Sequence, residues 1–181
     1  DGMYFTNLAN TLRHISSDEK AVFLSGCPGS GKTFAALQFC SEHKENLYFS
    51  FKNIDASLAL QVFCDVHPEI FGGCLSWQNF FDCLKTYGSK KRLLVFFDHA
   101  GERNDKGDFY AALDAFLNED NGSISVVLLG RPWENVPPSF RKVEIAYFSM
   151  PQLADEWNLP DQAAAKVYCL TGAIPALISL Y

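Results

Sequence analysis

Residues 26–33 read GCPGSGKT, between an apolar run at 21–24 and a helical pattern that begins at residue 32. The stretch matches G-x-x-x-x-G-K-[ST], the P-loop or Walker A pattern, in which glycines let successive backbone N–H groups point at phosphate oxygens. The N-terminus of the following helix adds its dipole to the attraction for an anion. The sequence therefore predicts a loop that holds the phosphates of a nucleotide.

Two side chains of this loop have predicted roles of their own. We expect Lys32 to set its charge against the β- and γ-phosphates and Thr33 to give its hydroxyl to Mg²⁺. The other predicted nucleotide contacts come from the same loop and the residue after it, namely Gly26, Pro28, Gly29, Ser30, Gly31 and Phe34. The alternative is a glycine-rich turn with an exposed lysine, which the position between strand and helix argues against.

An acid follows a second apolar strand. Residues 93–97 form an uninterrupted apolar run that ends on Asp98, as in a central parallel strand covered on both faces. A P-loop needs such an acid to hold the metal through water, the Walker B arrangement. We therefore predict Thr33 and Asp98 as the metal site. The alternative is a strand-end aspartate that caps a turn.

The residue after this acid departs from a common pattern, because many ATPases have there a glutamate that polarises the attacking water. Here it is His99. Three alternatives stay open: His99 acts as a base near neutral pH, Glu102 approaches from the loop, or hydrolysis is slow or absent. The choice depends on catalytic geometry.

Strands that alternate with helices predict an α/β P-loop NTPase fold, with a parallel central sheet of about five strands flanked by helices. Strands are expected at 21–24, 47–51, 93–97, 123–129 and 143–147. We predict Asp55 and Ser76 as helix N-caps and Gly88 as the residue that follows a helix end. Residues 1–149 would form the nucleotide-binding core, and residues 150–181 the start of a truncated C-terminal helical lid.

Composition restricts the partners. The chain has 181 residues, of which 48% are hydrophobic, and a formal net charge of −6. No basic block is longer than Lys90-Lys91-Arg92, which argues against direct nucleic-acid binding by this domain. The sequence has neither a long apolar run nor a secretory signal, so we expect a cytoplasmic protein without a membrane span. The six cysteines fall at no metal-binding spacing, which favours reduced thiols.

The loop, the acid strand and the tail together resemble the STAND class of AAA+-related ATPases. The resemblance is greatest to the archaeal and bacterial ATPase family whose domain ends in T-G-G-x-P. Residues 171–175 read TGAIP, with Ala173 in place of the second glycine. Residues 126–129 and Arg131 are similar to the sensor strand of this class, whose terminal polar or arginine residue faces the γ-phosphate.

The resemblance implies ATP or ADP with Mg²⁺ as cofactors, and it adds Arg131 to the catalytic candidates Lys32, Asp98 and His99. It also implies that Pro175 lies near the adenine. For Arg131 a solvated turn arginine is the alternative, and for Pro175 a proline in the first turn of a helix.

The function expected from this resemblance is a nucleotide-dependent switch with slow ATP hydrolysis, which acts on a C-terminal effector or sensor domain and leaves homo-oligomer formation open. A non-hydrolysing nucleotide-binding scaffold is the first alternative, favoured by His99. A small-molecule P-loop kinase is the second, although the sequence has no arginine-rich lid.

Overall fold

The structure, a computed structural model, describes residues 11–15, 19–26, 30–101, 107–145, 158, 160 and 162–163. Helical segments separate successive strands, as the sequence predicts, except before the last strand. In chain order the elements are α1 (residues 11–15), β1 (Ala21–Ser25), α2 (Lys32–Glu42), β2 (Leu47–Ser50), α3 (Ala56–Val66), α4 (Pro68–Phe71), α5 (Trp77–Gly88), β3 (Leu93–Asp98), α6 (Gly107–Asn118), β4 (Ile124–Gly130) and β5 (Arg141–Glu144).

The five strands of the described residues form one parallel sheet in the order β2-β3-β4-β1-β5. Strand β4 lies between β1 and β3, and its register pairs Gly130 with Ser25 and Leu129 with Asp98. The carboxyl ends of β1, β4 and β3 therefore meet at one edge of the sheet, the edge at which open α/β sheets bind ligands. The predicted fold class is confirmed.

Both faces of the sheet are covered by helices, which explains why β3 and β4 are buried along their whole length. Side chains of α1 and α2 pack with Val22, Leu24 and Phe96 on one face. Helices α3 to α6 pack on the other face over a core rich in phenylalanine, in which Phe71 and Phe80 stack with ring centroids 4.2 Å apart. Alternate residues of each strand thus belong to different cores.

Local signals for helix starts are confirmed. The side chain of Asp55 accepts a hydrogen bond from the backbone N–H of Ser57 at the start of α3, and Ser76 accepts one from Asn79 at the start of α5. The prediction for Gly88 is wrong, because α5 continues through this residue and Ser89 is its C-cap. A Cβ at Gly88 would overlap Cδ1 of Ile124 and lie 2.5 Å from Cγ1. The glycine therefore permits close helix-to-strand packing.

The fifth strand begins earlier than predicted. It spans Arg141–Glu144 and pairs with β1, while Ile145 follows it as a buried residue of the core on the α2 face. Tyr147 and the predicted lid residues 171–175 lie outside the described part of the chain. Among the described residues, no helix is long and apolar enough to cross a membrane.

Candidate functional site

The N-terminus of α2 has no side-chain cap. Gly31 is its N-cap residue, in a left-handed conformation (φ 88°) that favours glycine, and no acidic residue lies in the first helical turn. Asp55 and Ser76 cap α3 and α5 with their own side chains. Helix α2 therefore presents its positive dipole end at the carboxyl edge of the sheet with no acidic residue in its own first turn, as suits an anion site.

Lys32 folds back over the loop. Its Nζ donates to the carbonyl oxygen of Gly26 at 2.6 Å and to Oγ of Ser30 at 3.2 Å. Ser30 is fully buried, and a Cβ at Gly26 would lie 2.7 Å from the Ser30 hydroxyl oxygen. A glycine at position 26 is thus needed for the close approach that brings the ammonium group over the loop. Pro28 and Gly29 lie outside the described residues.

Asp98 is the centre of the site. Its side chain is only 2% exposed, and its Oδ2 accepts hydrogen bonds from Thr33 Oγ1 at 2.5 Å and from Tyr48 Oη at 2.6 Å. Its Oδ1 accepts from the backbone N–H of His99 at 2.8 Å. The structure therefore brings together the two predicted metal ligands, Thr33 and Asp98, although they come from different elements.

Sequence reasoning missed Tyr48. It lies on β2, whose Ser50 pairs with Asp98. Burial raises the pKa of the Tyr48 phenol above its ordinary value, and the hydrogen bond to Asp98 raises it further. The phenol therefore stays protonated over the physiological range and acts as a donor to the carboxylate. A half-buried tyrosine on a predicted strand gives no sequence signal that separates this role from ordinary packing.

His99 is turned toward the acid that precedes it. Its backbone is in the left-handed region (φ 56°), which is uncommon for a residue other than glycine. Its side chain is 25% exposed, and Nε2 lies 3.7 Å from Oδ1 of Asp98. This distance is too long for a hydrogen bond, but the imidazolium form would ion-pair with the carboxylate. Glu102, the other candidate base, lies outside the described residues.

Arg131 directly follows the end of β4. The carbonyl oxygen of Gly130 accepts a hydrogen bond from the Gly26 backbone at 3.2 Å, so the two chain segments are neighbours. The Arg131 guanidinium carbon lies 5.9 Å from the ring centroid of Trp133, within the range of a cation–π contact. Phe34, a predicted nucleotide contact, is 57% exposed. Pro175 lies outside the described residues.

Sequence reasoning also missed Glu134. This residue is 8% exposed, and its Oε2 is buried without a hydrogen-bond partner in the part of the chain that the structure describes. It lies close to Gly101 and Gly130, where an added Cβ would overlap Oε2. Glutamate in a loop rich in proline is ordinarily exposed, so the sequence alone gives no sign of its burial.

The donor set suits a small divalent cation. Mg²⁺ prefers oxygen ligands and commonly retains several waters, and Thr33 and Asp98 offer a hydroxyl and a carboxylate at hydrogen-bond distance. A hydroxyl has one proton and two lone pairs. Thr33 can therefore donate its proton to Asp98 and still offer a lone pair to a cation. This arrangement fits an aspartate that holds the metal through a water molecule.

Solved structures of P-loop ATPases share this fold. A Signal Transduction ATPase with Numerous Domains (STAND) protein with a tetratricopeptide repeat sensor, from Pyrococcus horikoshii, matches 95% of this chain with a TM-score of 0.68 at 16% identity. The Aeropyrum pernix ORC1 protein, solved in complex with DNA, matches 98% with a TM-score of 0.59 at 17% identity. C. elegans PCH-2 matches 83% with a TM-score of 0.50 at 13% identity.

These likenesses extend over part of each relative. The chain spans 28% of the STAND protein, 57% of ORC1 and 44% of PCH-2. It matches no protein-family model and no curated protein in sequence. At such identities the likeness shows the fold alone, a parallel sheet flanked by helices.

Proposed function

We propose that this domain binds MgATP on residues 26–33 and hydrolyses it slowly, as a nucleotide-dependent switch of the STAND type. The observation that carries the proposal is the hydrogen bond of 2.5 Å between Thr33 and Asp98. It joins the end of the P-loop to the end of β3, so a hydroxyl and a carboxylate suited to Mg²⁺ stand beside an uncapped helix N-terminus.

Lys32 and the start of α2 bind the phosphates. The Lys32 ammonium now donates to Gly26 and Ser30, and it exchanges these neutral acceptors for phosphate oxygens, because charge-assisted hydrogen bonds are the stronger ones. Phe34 and, from the lid, Pro175 contact the remainder of the nucleotide.

Thr33 and Asp98 would hold the metal, which supplies charge neutralisation at the phosphates when it is bound. Tyr48 keeps Asp98 oriented through its 2.6 Å hydrogen bond. Arg131 leaves its contact with Trp133 and offers its guanidinium to the γ-phosphate, where negative charge must be stabilised during transfer to water.

Residues 150–181 form the start of a helical lid in this proposal, and the nucleotide state changes the position of the lid and of any domain that follows. Homo-oligomer formation is a further proposal of the same kind. The lid rests on the resemblance of residues 171–175 to the T-G-G-x-P segment.

A non-hydrolysing scaffold remains the second candidate, because His99 stands where a water-activating glutamate is common and its ring lies 3.7 Å from the buried Asp98 carboxylate. Both candidates predict nucleotide binding. Only the switch predicts that phosphate is released.

Radiolabelled ATP separates the two candidates. Incubation of the purified domain with γ-labelled ATP and Mg²⁺ should yield free phosphate at a rate well below the roughly 1–100 s⁻¹ of phosphoryl-transfer enzymes such as kinases. Lys32→Ala serves as the control for contaminating activity. Binding without release of phosphate would favour the scaffold, and transfer of label to an added nucleoside or sugar would favour a kinase.

A further inference from the structure

Glu134 occupies an unusual position for a carboxylate. It follows β4 by four positions and shares a turn with Arg131, whose carbonyl accepts the Glu134 backbone N–H at 3.1 Å. Its side chain enters the interior at the carboxyl edge of the sheet, where a Cβ at Gly101 would overlap Oε2 and lie 2.5 Å from the Glu134 Cβ. The glycines at positions 101 and 130 leave the space that this side chain fills.

This carboxylate is close to the phosphate-binding loop. Glu134 contacts Gly130, the carbonyl of Gly130 accepts from the Gly26 N–H at 3.2 Å, and the carbonyl of Gly26 accepts from Lys32 Nζ at 2.6 Å. Two backbone residues therefore connect Glu134 to the lysine that faces the phosphates. On its other side, Gly101 is only three positions after Asp98.

Among the described residues, no side chain hydrogen-bonds to the buried Oε2 of Glu134. Tyr110 is the neighbouring phenol, but its hydroxyl donates to the Ala100 carbonyl at 2.6 Å. Burial raises the pKa of Tyr110 to about 12, with a smaller contribution from the negative charge of Glu134. An unpaired buried oxygen destabilises the folded protein, and deviations of this kind are concentrated at functional sites.

We propose that Glu134 is the carboxylate that accepts the proton of the attacking water, a role that rests on the proposed hydrolysis. The water oxygen forms a bond to the γ-phosphorus while the bond from that phosphorus to the β,γ-bridging oxygen breaks. ADP leaves with the electron pair of the broken bond, and the proton of the water passes to Glu134. The protonated carboxyl group then returns the proton to solvent or to the phosphate product.

The enclosed position of Glu134 would make it a slow base in the free domain. Oε2 is enclosed beside Gly101 and Gly130, so the carboxylate must move toward the cleft before it can contact water. Arg131 and Glu134 lie in one turn. Engagement of the γ-phosphate by Arg131 therefore moves Glu134 at the same time, which links base placement to the presence of a triphosphate.

Glu134→Gln tests this role, with Glu144→Gln as the matched control. Glu144 ends β5 at the same edge of the sheet and is exposed. We expect Glu134→Gln to lower the single-turnover rate of ATP hydrolysis by about 100-fold or more, the usual effect of losing a general base. Its affinity for MgATP and its melting temperature should be equal to or higher than those of the native domain, because a neutral amide is less costly to bury.

Three outcomes would overturn the inference or its premise. If the native domain hydrolyses ATP and Glu134→Gln does so at an equal rate, Glu134 is not the base, while the proposed hydrolysis stands. A lower melting temperature of Glu134→Gln together with weaker MgATP binding shows that Glu134 has a structural role. Glu134→Asp would then recover the melting temperature of the native domain, although the carboxylate takes no part in proton transfer. No phosphate release by the native domain rejects the hydrolysis and this inference with it, whereas MgATP binding is tested separately.

Discussion

The hydroxyl of Thr33 donates a 2.5 Å hydrogen bond to Oδ2 of Asp98 across 65 positions of sequence. This contact exists because β4 separates β1 from β3 while their carboxyl ends share one edge of the sheet. Helix α2 begins at this edge with Lys32. The hydroxyl and the carboxylate are thus assembled by the sheet order.

Asp98→Asn should remove the dependence of ATP binding on Mg²⁺. The amide retains one oxygen acceptor but loses the charge that attracts the cation, so affinity for ATP itself should stay within about tenfold, or 1.4 kcal/mol. Calorimetric titrations with Mg²⁺ and with a chelator provide the measurement, and Asp108→Asn, an exposed acid at the start of α6, is the control. A full response of the Asp98→Asn variant to magnesium would rule out Asp98 as a metal residue.

Tyr48→Phe should weaken the site without removing it. The variant loses a hydrogen bond to an ionised acceptor, so we expect its free energy of unfolding to be lower by about 1.5–3 kcal/mol. Turnover should also fall, because Asp98 is less well oriented. Tyr87→Phe is a matched control, since Tyr87 Oη donates to the Glu45 carbonyl at 3.0 Å away from the site. Equal turnover of native and Tyr48→Phe proteins would show that the phenol has no positioning role.

His99→Asn tests the histidine as a base. Asparagine tolerates the left-handed backbone at this position but cannot accept the proton. If Glu134 is the base, the residual rate should stay within about threefold of native, far less than the roughly 10²–10⁴-fold effect of losing a base. Were His99 the base, the variant would instead lose most of its activity.

Gly101→Ala should impair hydrolysis through Glu134. The added methyl group would lie 2.5 Å from the Glu134 Cβ, so the turn that carries Arg131 and Glu134 would have to shift from its position. Gly107→Ala is the control, because no described residue lies within 4 Å of a Cβ there. We expect lower turnover with MgATP affinity retained in Gly101→Ala and native turnover in Gly107→Ala, both measured by phosphate release. Equal rates in the two variants would show that the fit of Glu134 against Gly101 is unimportant.

Much of the fold could be predicted from sequence because its signals are local. Buried parallel strands give continuous apolar runs, as at 93–97. Asp55 and Ser76 mark the starts of their helices, because their side chains cap the first turn. The prediction that Gly88 follows a helix end is wrong because sequence does not distinguish a glycine that ends a helix from a glycine that permits close packing. The distinction depends on Ile124, a residue of another element.

Only those site residues that belong to known motifs could be predicted from the sequence. Lys32, Thr33 and Asp98 belong to patterns whose spacing reflects phosphate and metal chemistry. Tyr48 and Glu134 belong to no pattern, since their roles arise from the register of β2 with β3 and from the turn after β4. Such contacts depend on tertiary structure and leave no periodic trace in the chain.

The most direct test of nucleotide binding by residues 26–33 is a calorimetric titration of the native domain with MgATP, alongside Lys32→Ala. We predict saturable binding at one site per chain by the native protein. The variant should bind at least about tenfold more weakly, because a hydrogen bond to a charged group contributes about 1.5–3 kcal/mol. The variant's melting temperature without nucleotide should be nearly native, since Lys32 contacts the loop and not the core. Equal affinity in the two proteins, or no binding by the native domain, would contradict the proposal that this loop holds MgATP.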